Sequence, residues 1–205
     1  MNILAIGAHP DDIEFGCGGT LIKYAQKGYN IFLMILTLGQ MGGEGKIRKK
    51  EQIASCEILK SKEVFFGEYT DTKLPLDQSV IESIEKVLKI VKPEFIFVNY
   101  FDDTHQDHRH LAQATLSATR YIRNVLFYEV PTTQNFIPNV FVDIENTIED
   151  KMEALEAHNS QVLRTNIEGL PITEMAKSSA NFRGTQGRVK YAEGFISVRL
   201  FINIE

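Results

Sequence analysis

Short, continuously apolar segments alternate with segments of helical periodicity along the first 130 residues. A short apolar run bounded by turn residues is typical of a strand buried on both faces. Such runs predict strands at 2–7, 31–38, 63–66, 95–98 and 125–128. Apolar residues spaced three and four apart predict helices at 20–26, 47–59, 80–91 and 107–121. This alternation predicts an α/β fold with a mostly parallel sheet and helices on both faces.

The pattern weakens after Pro131. We expect a strand at 141–144, a helix at 147–158 and a final strand at 195–204. Residues 164–190 are rich in Gly, Ser, Thr and Asn, which predicts long loops. We therefore expect a single domain, 1–205, with a core at 1–130 and a loop-rich C-terminal part at 131–205. Its loops could carry a subunit interface in a homo-oligomer, or close a pocket.

Composition narrows the class of protein. The chain is 43% hydrophobic and 24% charged, with a formal net charge of -5. No run approaches the roughly 18 apolar residues of a membrane span, and no basic patch suggests nucleic acid. The N-terminus has no signal-peptide pattern. Cys17 and Cys56 form no disulfide framework, so we interpret them as core thiols. We expect a cytoplasmic protein with neither nucleic acid nor membrane as a partner.

Two clusters of polar side chains follow predicted strands. The first follows strand 2–7 and runs Ala-His-Pro-Asp-Asp-Ile-Glu over 8–14. The second follows strand 95–98, where three of the five histidines fall within 105–110. In open α/β sheets, ligands bind beyond the carboxyl ends of the strands. Loops 8–19, 39–45 and 99–108 are therefore the candidate walls of one site.

These side chains are typical of a catalytic zinc centre. Such a centre has about three ligands from His, Asp or Glu and one open position for water. A neighbouring carboxylate can take the proton of that water, and a histidine can stabilise the product of attack. Each cluster alone could be an ordinary turn with a helix cap, but their coincidence at two strand ends favours the metal site.

Other candidate residues have simpler interpretations. Gly16, Gly18 and Gly19 follow a strand but match neither the dinucleotide fingerprint nor a phosphate-binding loop. Residues 39–45 contain four glycines and predict a mobile loop. This loop could border the substrate or simply connect two elements. His158 follows a predicted helix and would interact with its C-terminus.

With these motifs the chain resembles the PIG-L/LmbE-like superfamily of zinc-dependent de-N-acetylases that act on amino-sugar derivatives. The Ala-His-Pro-Asp-Asp signature is intact at 8–12, and the His-Pro-Asp-His signature stands at 105–108 with Gln106 in place of Pro. Elements similar to the family's also occur at 47–51, 158–161 and 191–195. The resemblance implies a Rossmann-like α/β fold and one Zn²⁺ per chain.

The resemblance also implies roles for single residues. The zinc ligands would be His9, Asp12 and His108. Asp11 would be the general base, His105 would stabilise the oxyanion or act as the acid, and Asp107 would orient an imidazole. Arg48 would bind substrate, and Glu14 holds its usual place in the signature and is a weaker candidate for substrate binding.

Several functions remain open at this point. The preferred one is removal of an N-acetyl group from an N-acetylglucosamine-type small molecule by metal-activated water. A related amide hydrolase, such as a thiol-conjugate amidase, would use the same site. A non-catalytic metal- or sugar-binding module and a two-metal phosphoesterase are alternatives from other classes, and metal stoichiometry separates the last from a one-zinc deacetylase.

Overall fold

The protein forms a seven-stranded sheet with helices on both faces. The computed structural model describes residues 1–202. The strands are β1 (Asn2–Gly7), β2 (Asn30–Thr37), β3 (Ser61–Tyr69), β4 (Phe95–Asn99), β5 (Asn124–Tyr128), β6 (Val140–Asp143) and β7 (Ala192–Arg199). The helices are α1 (Asp12–Gln26), α2 (Gly45–Ile58), α3 (Gln78–Val91), α4 (Gln106–Ala118), α5 (Ile148–Glu156) and α6 (Ile172–Gly187).

The strand order is β3-β2-β1-β4-β5-β7-β6. The first five strands pair in parallel, whereas β7 pairs antiparallel with both β5 and β6. This arrangement confirms the predicted mostly parallel α/β sheet. The chain moves outward from β1 to β2 and β3 on one side, and to β4 and β5 on the other. The two clusters predicted to share a site therefore leave adjacent strands at the switch point.

Alternate residues of β1 enter two separate cores. Ile3 and Ala5 pack with α1, α2, α5 and α6 on one face. Leu4 and Ile6 pack with α3 and α4 on the other. A strand that is buried on both faces must be apolar at every position, which explains the unbroken hydrophobic run of its sequence.

One helix is longer than the sequence predicted, and another was not predicted at all. Helix α1 begins at Asp12, so the glycine-containing segment expected to be part of a loop is its first half. Helix α6 occupies 172–187, inside a region expected to be loops. In both, small residues allow close packing: Gly16 lies against the ring of Tyr128, and Gly184 lies against the backbone of Lys190. Tertiary contact thus outweighs the low helix propensity of glycine.

Smaller differences concern the C-terminal part. The final strand ends at Arg199, before the expected 204; residues 203–205 lie outside the described part.

None of the helices in residues 1–202 has both the length and the apolar character needed to cross a membrane. Cys17 and Cys56 are buried free thiols, as predicted.

Candidate metal and active site

The predicted ligands lie together at the switch point between β1 and β4. Atom Nδ1 of His9 is 3.1 Å from Nε2 of His108 and 3.6 Å from Oδ2 of Asp12. The same Asp12 oxygen is 3.4 Å from Nε2 of His108. All three side chains are buried. Three potential ligand atoms, from the segments that follow β1 and β4, therefore face one point.

These separations suit a divalent cation. Zinc ligands stand about 2.0–2.2 Å from the metal, so ligand atoms around a tetrahedral centre are about 3.3–3.5 Å apart. The three observed distances fall around that range. Imidazole and carboxylate together are also a donor set that suits zinc. The residues present therefore fit the metal that the sequence motifs implied.

Nitrogen Nε2 of His9, on the other edge of the ring, faces two carboxylates. It lies 3.2 Å from Oδ2 of Asp107 and 3.1 Å from Oδ1 of Asp71. Asp107 also accepts hydrogen bonds from the backbone N–H groups of Thr72 and Leu74. His105 belongs to two groups of potential ligands, one with His9 and His108 and the other with His9, Asp71 and Asp107. We favour the Nδ1 side of His9, because it brings together His9, Asp12 and His108, the three ligands that the sequence motifs implied.

His108 is oriented in the same way. Its Nδ1 lies 3.1 Å from Oδ2 of Asp103. Asp103 in turn accepts hydrogen bonds from the backbone of His105 and the hydroxyl of Thr133. A carboxylate behind each imidazole fixes the ring and its tautomer, as is common around metal-ligating histidines.

These carboxylates dominate the electrostatics. Burial lowers the pKa of both ligand histidines, but the surrounding aspartates outweigh it. They raise the pKa of His9 well above its usual value and that of His108 to about 9. Burial likewise raises the pKa of Asp12, and the two imidazoles more than reverse this. The cluster therefore stabilises positive charge at its centre.

Asp11 points in a different direction from its neighbour Asp12. It is the N-cap residue of α1 in the left-handed conformation (φ 86°), and its carboxylate does not cap the helix. Instead, Oδ2 accepts a hydrogen bond of 3.1 Å from Arg48. Burial raises the pKa of Asp11 despite the opposing charge of Arg48. With 27% of its side chain exposed, this carboxylate borders the pocket and has an increased affinity for a proton.

Arg48 connects two of the predicted loops. Its guanidinium donates to the carbonyls of Gly39 and Pro10 and to Asp11. A side chain at Gly39 (φ +63°) would overlap the guanidinium, with only 1.7 Å between its Cβ and Nη1. Arg48 lines the pocket, but its Nη atoms are engaged by the protein, which favours a positioning role over the expected contact with substrate.

Glu14 lies behind the pocket. It is fully buried, accepts hydrogen bonds from Gln52 and Ser55, and has Nε2 of His158 at 3.5 Å. A contact with substrate does not fit this placement. His158 directly follows the C-cap of α5 and is fully buried. Its imidazole lies beside Glu14 and makes no hydrogen bond to the carbonyls of that helix, so the expected interaction with the helix end is not seen.

His105 lies beside the ligand histidines. Its ring stacks on that of His108, with centroids 4.8 Å apart. Nδ1 accepts a hydrogen bond from the backbone N–H of Asp107, so a neutral ring carries its proton on Nε2. Burial lowers the pKa of His105, and positive charge on His9 and His108 lowers it further. His105 is thus poised to donate a hydrogen bond as a neutral imidazole.

These side chains open into a pocket of about 320 Å³. Apolar residues form one wall, and loop residues 161–166 form part of the mouth. The apolar wall residues are Phe15, Val130, Ile172 and Met175. The volume is at the low end of the range for small-molecule sites.

Sequence reasoning missed several residues at this site. Asp71 follows β3 and belongs to no motif, yet it reaches His9 with one oxygen and the backbone N–H of Met41 with the other. Asp103 stood inside the second cluster without a role. Gln161 and Arg164, beyond α5, both donate to the carbonyl of Gly42. Of these two residues, only Gln161 belongs to an element, 158–161, that the sequence analysis had singled out.

Comparison with known proteins identifies the relatives of this chain. The family model PIG-L, described as GlcNAc-PI de-N-acetylase, matches residues 4–119. A protein of Escherichia coli (strain K12) described as the uncharacterized deacetylase YaiS is 37% identical over 167 residues, covering 77% of this chain and 90% of its own. The N,N'-diacetylchitobiose deacetylase of Pyrococcus horikoshii superposes with a TM-score of 0.84 at 25% identity, covering 96% of this chain and 83% of that one.

The same fold also carries a different reaction. GalB of Pseudomonas putida, a 4-carboxy-2-hydroxymuconate hydratase, superposes with a TM-score of 0.81 at 25% identity, covering 100% of this chain and 99% of that one. A test of function must therefore separate hydrolysis from hydration.

Proposed function

The chain belongs to the PIG-L family of de-N-acetylases, and from that premise we propose that it hydrolyses the N-acetyl group of an N-acetylglucosamine-type amino sugar. The observation that carries this proposal is the convergence of three metal-ligating side chains, His9, Asp12 and His108, with Asp11 and His105 at one pocket. The products are acetate and the free amine of the sugar.

Zinc is the metal that we propose for this site, one ion per chain, held by Nδ1 of His9, Oδ2 of Asp12 and Nε2 of His108. When bound, zinc supplies an acidified water and a Lewis acid for the acetyl carbonyl. Asp103 and Asp107 hold the two imidazoles in the required orientation. The excess of carboxylates around the ligands favours a divalent cation there.

Asp11 is the proposed general base. Its carboxylate borders the pocket and is not needed to complete the ligand set. A raised pKa brings a carboxylate closer to the operating pH, which makes it a more effective proton acceptor. Arg48 fixes its direction and keeps it available as a carboxylate. The proton that Asp11 accepts from the attacking water is the one the leaving amine requires.

His105 is the proposed electrophilic residue. Its Nε2–H can donate to the oxygen that becomes negative as the water attacks. Such a donor acts in a site partly screened from solvent and is already oriented, which is the condition for effective oxyanion stabilisation. Asp107 positions His9 rather than His105, so it acts on the metal ligand, while its backbone N–H sets the tautomer of His105.

Location and partners follow the same proposal. Two buried free thiols suit a reducing compartment, and we place the enzyme in the cytoplasm with a small-molecule amino sugar as its substrate. Amide hydrolysis of a thiol conjugate would use the same groups, since the site recognises an amide next to a sugar.

The test is release of acetate from N-acetylglucosamine, N,N'-diacetylchitobiose and N-acetylglucosaminyl malate, each with zinc or with a chelator. We expect zinc-dependent acetate release from at least one of them, and loss of both activity and zinc in His108→Ala. As a control, His110→Ala changes a histidine of the same helix that does not line the pocket. Hydration of 4-carboxy-2-hydroxymuconate without any acetate release would contradict the proposal.

A further inference from the structure

Three polar side chains of residues 158–161 each contact a different segment beside the catalytic pocket. These contacts join His158 to Glu14 in α1, Ser160 to Glu51 in α2, and Gln161 to the carbonyl of Gly42 in the loop after β2. The same three segments hold the proposed base, since Asp11 precedes α1, and Arg48 of α2 binds both Asp11 and the carbonyl of Gly39. No step of the proposed function yet uses residues 158–161.

Two ion pairs stand side by side behind the pocket. Arg48 lies 3.1 Å from Asp11, and Nε2 of His158 lies 3.5 Å from Oε1 of Glu14. The two carboxylates are one turn apart at the start of α1. Glu14 and His158 are fully buried, and Arg48 is nearly so. The four side chains are electrically neutral together only if His158 carries a proton.

Glu14 needs a cation beside it. Its Oε1 accepts hydrogen bonds from Gln52 and Ser55, whereas Oε2 has no hydrogen-bond partner within residues 1–202. A buried carboxylate in this condition is costly unless a positive charge lies close to it. His158 is placed to supply that charge. Neither of its ring nitrogens has a hydrogen-bond partner in the same part of the chain, so attraction between charges holds the ring beside Glu14.

The surrounding charges favour the protonated form of His158. Burial lowers the pKa of this imidazole, but the negative charges of Glu14 and Asp11 outweigh burial and raise the pKa above its usual value. Arg48 opposes the rise without reversing it. These are the charged groups that α1, the residue before it and α2 place near the ring. The folded protein therefore favours the imidazolium more than solvent does.

One face of α2 serves both carboxylates. Arg48, Gln52 and Ser55 are spaced four and three residues apart, which places them on the same side of the helix. The last two bind Glu14, and Arg48 binds Asp11. Nε of Arg48 has no hydrogen-bond partner within residues 1–202. If Glu14 lost its own cation, it would compete with Asp11 for this guanidinium.

From this arrangement we propose that His158 is a positioning residue, which neutralises Glu14 and thereby leaves Arg48 free to hold Asp11 in place. The inference rests on the proposed function, because that function makes Asp11 the base. His158 does not line the pocket, so its effect on the reaction passes through Arg48.

His158→Gln tests the role of the charge. We expect kcat to fall about tenfold, within the range of coupling between side chains of one network, while KM and zinc content change little. Adding Glu14→Gln to this variant should restore most of kcat, because no buried charge is then left without a partner. Glu14→Gln keeps the shape of the side chain, so it would not repair a loss that came from packing of the imidazole.

A second cycle uses Asp11→Asn. In that background His158→Gln should have no further effect on kcat, because no base remains to be positioned. Lys151→Gln is the matched control: it removes another buried cation, one that pairs with Glu193 and does not line the pocket. This control should be less stable but keep its kcat. An unchanged kcat in His158→Gln, the same loss with and without Asp11, or no recovery with Glu14→Gln would overturn the inference.

Two measurements that need no turnover separate this inference from the proposed function. In NMR spectra of ¹⁵N-histidine-labelled protein at pH 7, where a free imidazole is mostly neutral, His158 should be protonated in the parent and neutral in Glu14→Gln. A crystal structure of His158→Gln should show Arg48 displaced from Asp11.

The outcomes for the two proposals differ. A neutral His158 in the parent, or an unchanged contact between Arg48 and Asp11 in His158→Gln, overturns the inference whether or not acetate is released. A protonated His158 together with a displaced Arg48, in a protein whose parent releases no acetate from any of the sugars, would leave the positioning role standing and reject the deacetylase.

Discussion

Two aspartates adjacent in the chain face different chemistry because of one backbone conformation. Asp12 is the first residue of α1, accepts the backbone N–H of His9 and lies between the two imidazoles. Asp11 adopts a left-handed conformation, which Asp tolerates better than most residues. The reversed φ turns its carboxylate toward Arg48 and the pocket. A single strained residue thus separates the proposed ligand from the proposed base.

Asp11→Asn should therefore keep its zinc and lose activity. The side chain is nearly isosteric and can still accept from Arg48, but it cannot take a proton. We expect kcat to fall by at least about 10²-fold, the lower range for general-base contributions. Elemental analysis and steady-state kinetics measure both effects. Asp12→Asn is the comparison: it should lose zinc, and equal zinc loss in both variants would contradict the division of roles.

His105→Gln should affect the transition state and leave the metal in place. Because Nε2–H acts only once charge develops on the oxygen, kcat and kcat/KM should fall together by about 10²–10³-fold, with KM little changed. His110→Gln is the control on the same helix, and its side chain contacts the carbonyl of Leu74. Loss of zinc in His105→Gln would instead make His105 a ligand.

Sequence motifs singled out the clustered residues that the structure brings together, but not the isolated ones. His9, Asp12 and His108 could be found because each stands in a dense polar cluster after a buried strand. Asp71 could not, since a lone aspartate after a strand is indistinguishable from a turn residue. Its contact with His9 exists only because β3 and β1 end at the same edge of the sheet.

At the scale of elements, glycine was the main source of error. It is a poor helix former, so a run of glycines predicts a loop. In α1 the glycines serve packing instead: a Cβ on Gly19 would stand 3.0 Å from Ile144, and one on Gly16 would overlap Tyr128. Such contacts are invisible to local propensity, whereas the apolar runs of β1, β2, β4 and β5 report their burial directly.

Two alanine substitutions in α1 separate packing from propensity. In Gly16→Ala the new Cβ would lie 2.1 Å from the ring of Tyr128, whose hydroxyl is fixed by the carbonyl of Ile6 and by Asn99. We expect a loss of about 1–3 kcal/mol in the free energy of unfolding, as for other overpacked cores.

Gly18→Ala is the matched partner in the same helix. Its Cβ would meet nothing closer than 3.7 Å, so the helical preference of alanine should add roughly 0.5–1 kcal/mol. Urea denaturation of the two variants and the parent measures both changes. Destabilisation of similar size in both would show that packing against Tyr128 is not what requires glycine at position 16.

At the scale of the whole molecule, the two halves of the sheet bring several carboxylates close together at one point. The segments that follow β1, β3 and β4 supply the carboxylates that surround His9 and His108. Without a metal, protonated imidazoles balance these carboxylates. Zinc requires neutral imidazoles, so protons and zinc compete for the same centre.

This competition predicts different pH dependences of the Tm for the metal-free and the zinc-loaded protein. The folded-state pKa of His108 is raised from 6.5 to about 9, and that of His9 is raised as well. A raised pKa stabilises the folded state fully below the unfolded value, and this stabilisation is lost as pH rises through the folded value. The Tm of the metal-free protein should therefore fall as pH rises above 6.5 toward 9. Zinc binding tightens over the same range, so the gap in Tm between the two forms should widen.

Scanning calorimetry at pH 6.0, 7.0, 8.0 and 8.5, with saturating zinc or with chelator, measures this gap. The proton balance can be checked independently by titrating zinc into metal-free protein near pH 7 in buffers of different ionisation enthalpy, since protons displaced from the imidazoles are taken up by the buffer. His110→Gln should leave the gap unchanged, because His110 lies outside the cluster. His108→Asn should nearly abolish it, since the ligand set is then incomplete and one of the raised imidazoles is gone. A gap that stays constant or narrows with rising pH would mean that the metal binds elsewhere than at these two histidines.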